Sequence, residues 1–262
     1  MPRARDSLFD LRGCRALVTG ASQGLGLGIA EALVAHGAGV LVCDTDREAC
    51  VRTARCLGNS AQFLPAFAAD PTNPADLEAL RSAAGRVDIL VCTAPAQGKV
   101  DPGEAPDDAL QRQLRTAQSL CAMMIPGMAR RGRGSVVLVL SSGQAQAGRS
   151  CSVDTLFRNA WVKLVRHLAM QWGPRGVRIN AVSAGLIQPL VGGGLFGAGD
   201  ALAKRLAHAP LRRIGRVEEL AGAVIFLASQ AAGFVTGHDL VVDGGALVSD
   251  NLLEGATQPC IS

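Results

Sequence analysis

The sequence predicts an α/β fold: a doubly wound parallel sheet of about seven strands with helices on both faces. Three observations predict it. Short β-branched runs alternate with longer helix-period segments along the whole chain. The strand-like runs are apolar on successive residues, as strands covered on both faces are. A glycine-rich turn joins the first strand to the first helix.

The elements follow in order. Residues 15–19 (RALVT) read as the first strand and 24–36 as the first helix. Residues 40–43 form a second strand and 46–57 a helix. Residues 62–67 read as a third strand, and 74–84 as a helix capped near Asn73. A fourth strand covers 87–92, a long helix 107–130, and a wholly apolar fifth strand 135–140. A helix at 152–172 leads to a sixth strand at 177–182. A helix at 217–229 and a short strand at 240–242 close the pattern.

A length of 262 residues suits one such domain, and no linker, repeat or low-complexity tract divides it. Residues 1–262 are therefore expected to form a single domain. The stretch 186–209, with Gly192, Gly193 and Gly194, is expected to be a mobile substrate loop beside the ligand edge of the sheet.

Composition narrows the function. Apolar residues make up 48% and charged residues 18%, which excludes a disordered chain. A net charge of +4 is too small and dispersed for a nucleic-acid partner. The densest basic stretch, Arg130, Arg131 and Arg133, reads as a solvated connection. The eight cysteines form no CxxC pair and read as reduced, packed thiols. The four histidines show no metal-ligand spacing, so no metal is expected. No run is long enough to span a bilayer, and residues 1–10 are no secretory signal. A cytoplasmic protein with no membrane partner is expected.

The phosphate-loop reading is specific. Gly20, Gly24 and Gly26 permit a tight turn and close approach of backbone to a pyrophosphate at a helix N-terminus. Asp44 ends the second strand, 18 residues beyond Gly26. A carboxylate there accepts from ribose hydroxyls and repels a 2′-phosphate, which favours NAD over NADP. The plainer reading of Asp44 is a solvated acidic turn with Asp46 and Arg47.

The sequence resembles the short-chain dehydrogenase/reductase family, a Rossmann-type family, over nearly its whole length. The resemblance rests on Thr19-Gly20-Ala21-Ser22-Gln23-Gly24-Leu25-Gly26, on Gly176-Val177-Arg178-Ile179-Asn180-Ala181-Val182, and on the stretch 210–245. It implies cofactor contacts from Ser22, Gln23 and Leu25, from Asp70 at the adenine, and from Ala94 and Ile187 further along. It also implies an oligomer, either a dimer or tetramer of this chain or an assembly with an active homologue.

The same register exposes replacements. The family uses an Asn, a Ser, and a Tyr followed four positions later by a Lys. Here those positions fall on Gln113, Ser141, Asp154 and Arg158, and the chain contains no tyrosine. Around the nicotinamide, the family's Asn-Asn-Ala-Gly becomes Cys92-Thr93-Ala94-Pro95, its Pro-Gly becomes Ala184-Gly185, and a Thr becomes Pro189. The adenosine half predicts NAD; the changed nicotinamide half leaves open a protein with no cofactor.

The replacements change the chemistry. An Asp has a reference pKa of about 3.9, so roughly one in a thousand is protonated at pH 7. A guanidinium one helical turn away favours the anion further. Such a fixed anion opposes carbonyl reduction, and an Arg cannot act as a titrating relay. The plain reading of Asp154 and Arg158 is an exposed helical ion pair.

Three functions are consistent with these residues. The foremost expectation is a non-catalytic, structural or regulatory member of the family. A second is a non-redox isomerase, lyase or cyclase using Asp154 as base, Arg158 as clamp and Ser141 as donor. A third is an NAD-dependent oxidoreductase with a displaced proton donor. Fold alone does not choose among them.

Overall fold

The structure, a computed structural model, describes residues 8–57, 67–69, 73–93, 106–141, 153–188, 202–203, 206–207 and 209–249. Along the chain run β1 (Arg15–Thr19), α1 (Gly24–Ala35), β2 (Gly39–Asp44), α2 (Arg47–Cys56), β3 (Phe67–Ala68), α3 (Pro74–Ala84), β4 (Ile89–Thr93) and α4 (Pro106–Arg130). They are followed by β5 (Gly134–Ser141), α5 (Val153–Trp172), β6 (Val177–Ala184), β7 (Ile187–Gln188), β8 (Gly215–Arg216), α6 (Val217–Ala228), β9 (Asp239–Val242) and α7 (Ala246–Ser249).

Seven strands form one parallel sheet in the order β3-β2-β1-β4-β5-β6-β9. The order reverses between β1 and β4. Such a switch point opens a crevice at the carboxyl ends of the strands, and it fixes where a ligand sits.

Successive strand residues face opposite helix layers, as the continuous apolar runs require. Val18, Val42, Val91 and Val139 pack with Ile29 and Leu33 of α1 and with Leu220 and Val224 of α6. Leu17, Leu41, Leu90 and Leu138 pack on the other face with Leu80 of α3, Leu120 and Met128 of α4, and Val165 of α5. Burying each of these side chains contributes about 1.5–3 kcal/mol. Trp161 belongs to this second layer.

Several expectations need correction. Of the third strand expected at 62–67, only Phe67 falls among the described residues; β3 pairs Phe67 with Cys43 and Ala68 with Asp44. Residues 186–188 are not mobile loop. Leu186 and Ile187 are buried, and β7 pairs with β8 in a second, two-stranded sheet. Two-residue strands carry no period to read. Ala209, at the far end of the same stretch, is buried as well; residues 189–201 lie outside the described residues. The last helix, α7, follows a turn in which the Asp243 carboxylate accepts from the N–H groups of Gly245 and Leu247, both at 2.7 Å.

The basic stretch after α4 is not simply solvated. Arg86 Nη2 lies 3.0 Å from the buried Asp88 carboxylate, with Arg131 Nε at 3.8 Å and Arg133 Nε at 4.0 Å. Arg131 also donates to the Val87 carbonyl. These arginines brace the amino ends of β4 and β5. The pairing crosses from one helix end to another strand, so no local pattern announces it.

Cys43, Cys50, Cys92 and Cys121 are buried free thiols. Burial pushes Cys50 up to about 11 and Cys121 up to about 12, so neither forms a thiolate near neutrality. No group of three or more metal-ligating side chains occurs among the described residues. Among them, no helix is long and apolar enough to cross a membrane.

Candidate active site

The turn from β1 to α1 is shaped by residues that lack a side chain. Gly20 and Gly24 have φ of +63° and +60°, a region that penalises a Cβ. A Cβ on Gly26 would stand 2.2 Å from the Gly20 carbonyl oxygen, and one on Gly20 would stand 2.3 Å from Thr93 Oγ1. Gly24 opens on free space. The first turn of α1 holds no acidic residue, and its N-cap, Gln23, makes no side-chain cap. A helix N-terminus without a side-chain cap or an acidic first turn offers N–H groups and a positive dipole end to a phosphate.

Neighbouring elements hold this turn in place. Thr93, at the end of β4, donates its hydroxyl to the Thr19 carbonyl at 2.6 Å. Thr53 of α2 donates to the Ser22 carbonyl at 3.0 Å. Thr93 thus supports the loop from a position that the sequence marks only as a departure from the family. Thr53 gave no signal in the sequence beyond its helical period.

Asp44 stands at the end of β2 beside that turn. Its Oδ2 accepts from Ser22 Oγ at 2.5 Å and Ser22 N at 3.3 Å; its Oδ1 accepts from Thr45 N at 2.8 Å. The parallel pairing of Thr19 with Cys43 brings the two strand ends level, so loop and carboxylate share one rim. Asp44 is not a detached acidic turn. Asp46 does separate work: it caps α2 by accepting from Ala49 N at 3.0 Å.

The remaining predicted residues fall unevenly. Ile187 is buried, with its side chain against Gly215. Asp70, Ala94 and Pro189 lie outside the described residues. Gln113 lies on α4, Ser141 ends β5, and Asp154 is in the first turn of α5; for these three the description covers the backbone alone. Ser141 pairs with Ala184, so the ends of β5 and β6 are level at the crevice. Gly185 follows, where a Cβ would stand 2.5 Å from Asp243 Cα. Arg158, expected as an exposed helical residue, is largely covered. It bonds to Asp239 at 2.5 Å and is about one-fifth exposed.

Sequence comparison and fold comparison agree on what this chain is like. A family profile described as enoyl-(acyl carrier protein) reductase matches residues 20–246. The chain is 34% identical to gluconate 5-dehydrogenase of Gluconobacter oxydans, over 92% of this chain and 98% of that protein. The chain belongs to the short-chain dehydrogenase/reductase family. Another member, D-threitol dehydrogenase of Mycolicibacterium smegmatis, is 33% identical over 90% of this chain and 94% of its own. Among solved structures of the family, one assigned as an NAD(P)-dependent gluconate 5-dehydrogenase from Beutenbergia cavernae, with NADP at low occupancy, superposes with a TM-score of 0.80. It is 30% identical, covering 92% of this chain and all of that one.

These relatives correct the foremost functional expectation. Full-length similarity to family members named as dehydrogenases overturns the reading of a non-catalytic subunit, and with it the non-redox catalyst. The replaced positions misled because a side-chain change at one point says little about what the rest of a site retains.

Proposed function

We propose that this short-chain dehydrogenase/reductase member is an NAD(P)-dependent oxidoreductase that oxidises a secondary alcohol of a small polyhydroxylated substrate, with NAD preferred. One observation carries the reading: the glycine turn, its supporting Thr93 and the Asp44 carboxylate form a shared rim at the switch point of the sheet. The backbone cradle from Gly20 to Gly26 fits a pyrophosphate, because a Cβ at Gly20 or Gly26 would collide with its neighbours. Asp44 fits a ribose diol. Two of its partners, Ser22 Oγ and Thr45 Oγ1, are hydroxyl rotors that a diol can replace. The carboxylate opposes a 2′-phosphate, which supports NAD. The substrate class rests on the relatives named for gluconate and D-threitol.

When bound, the nicotinamide supplies a hydride acceptor. The chain's own residues then handle the proton. With no tyrosine in the sequence, Asp154 takes the proton from the alcohol oxygen as its carbon gives up hydride and the C=O bond forms. Ser141 donates to that oxygen and orients it, and Gln113 contributes an amide from α4. In the oxidation direction the carboxylate accepts the proton, and the reverse reduction needs that same group protonated.

Calorimetric titration with NADH, followed by rates of NAD reduction with gluconate and D-threitol, tests the proposal. Binding and turnover are expected, with Asp154→Asn slowing oxidation by about 100-fold. Absence of NADH binding, or full activity in Asp154→Asn, overturns it.

A further inference from the structure

Three guanidiniums converge on one buried carboxylate at the amino ends of β4 and β5. Arg86 holds Asp88 as a fork: Nε donates to both carboxylate oxygens at 3.1 Å, and Nη2 lies 3.0 Å from Oδ2. The Arg15 N–H adds a bond to Oδ2 at 3.1 Å. Arg131 Nε and Arg133 Nε stand at 3.8 and 4.0 Å, within ion-pair range and beyond hydrogen-bond length. Among the described residues, Asp88 is the one carboxylate that these three arginines pair with; three cations against one anion leave two positive charges over. Helix capping does not absorb them. At the end of α4 the Met128 carbonyl accepts from Arg131 N and Arg133 N, and the Ala129 carbonyl from Gly132 N. Arg131 spends one side-chain N–H on the Val87 carbonyl. The Arg133 guanidinium makes no hydrogen bond among the described residues and is 66% exposed. Arg15, whose N–H holds Asp88, keeps its own Nε buried without a hydrogen-bond partner among the described residues.

We propose that Arg86, Arg131 and Arg133 form a site for a phosphoryl anion carried by a small soluble molecule, on the edge of the sheet away from the cofactor crevice. The five residues of β4 separate Asp88 from the rim, about 16 Å of strand, so this site is no part of the glycine cradle. A guanidinium presents paired N–H donors that match phosphate oxygens, and gathered cations repel one another until an anion lies among them. The site is built in advance. Gly132 turns the chain between Arg131 and Arg133 with φ of +67°. A Cβ on Gly176 would stand 2.1 Å from the Gly132 carbonyl oxygen, so the turn is seated against the residue before β6. Asp88 lets the cations gather and fixes Arg86 by its fork, while Arg133 keeps its donors for a ligand. A doubly charged phosphoryl group matches the surplus; a monovalent anion leaves half of it.

The test is calorimetric titration with inorganic pyrophosphate, with NADH at saturation to fill the cradle, on the wild type and on Arg133→Gln, Arg131→Gln and Arg166→Gln. Binding to the wild type is expected, with affinity falling about tenfold in Arg133→Gln and at least as far in Arg131→Gln. Arg133→Gln should fold as the wild type does, because that side chain is exposed and makes no hydrogen bond among the described residues. Arg166 is exposed on α5, so Arg166→Gln removes the same charge elsewhere and should change affinity less than about twofold. A wild type that takes up no pyrophosphate, an Arg133→Gln protein that binds it unchanged, or an Arg166→Gln protein that weakens as much, overturns the inference. Sedimentation with vesicles containing phosphatidic acid separates the other source of this chemistry: vesicle binding without pyrophosphate binding overturns the soluble ligand. The comparison with Arg133→Gln needs no bound NADH, so failure of the oxidoreductase reading leaves this test intact.

Discussion

The two ends of the crevice are built on different terms. At the adenosine end, backbone geometry does the work: glycines with positive φ, a carbonyl packed where a Cβ would stand, and hydroxyls that brace the turn. At the reaction end, side-chain chemistry is called on, and there the fold contributes the level ends of β5 and β6. Backbone geometry tolerates few residue types, because only glycine fits such angles and approaches. Side-chain chemistry can change by single substitutions without disturbing the fold.

The contrast can be broken most forcefully at Gly26. Gly26→Ala places a Cβ on the Gly20 carbonyl. It is expected to cost about 3 kcal/mol of NADH binding, roughly 100-fold in affinity, seen by fluorescence titration. Retained affinity would mean that the cradle is not backbone-limited. Asp44→Ala sharpens the comparison from the side-chain part of the same end. It is expected to shift the ratio of NADP to NAD use by about tenfold, near 1.4 kcal/mol, in kcat/KM for the two cofactors. A smaller effect follows from Thr93→Val, which removes the bond to the Thr19 carbonyl. About 1 kcal/mol of stability should be lost by denaturant unfolding, with NADH affinity falling severalfold.

The mildest prediction lies at the start of α6, beside the β7–β8 pair. Hydrogen bonds from Arg213, and from the Arg216 N–H, lower the Glu219 carboxyl to about 2. The folded pKa is below the unfolded one, so the contribution is complete above the ordinary range near 4.5 and fades as pH falls toward 2. The group is exposed, so its effect on unfolding should be slight. An NMR titration should find the depressed midpoint, and Arg213→Gln should return it most of the way upward.

Much of the fold was legible in the residues. Continuous apolar strands at β1, β2, β4 and β5 can only be covered on both sides, and the glycine turn after β1 marks the nucleotide edge. Asn73 announced its helix because a cap is a local bond, to Ala75 N at 2.9 Å. The β7–β8 pair was hidden, since two residues carry no period and their partners are 28 positions apart.

By itself, the sequence determined the parallel sheet, the glycine cradle and the absence of a tyrosine, all properties of residue type and of spacing along the chain. Only the tertiary structure decided that Thr93 braces the cradle, that Ser22 joins Asp44, that arginines gather on Asp88, and that Arg158 reaches Asp239. Those pairings join residues far apart in the chain, and the choice among competing partners is made by burial and distance, which exist only after the sheet has formed.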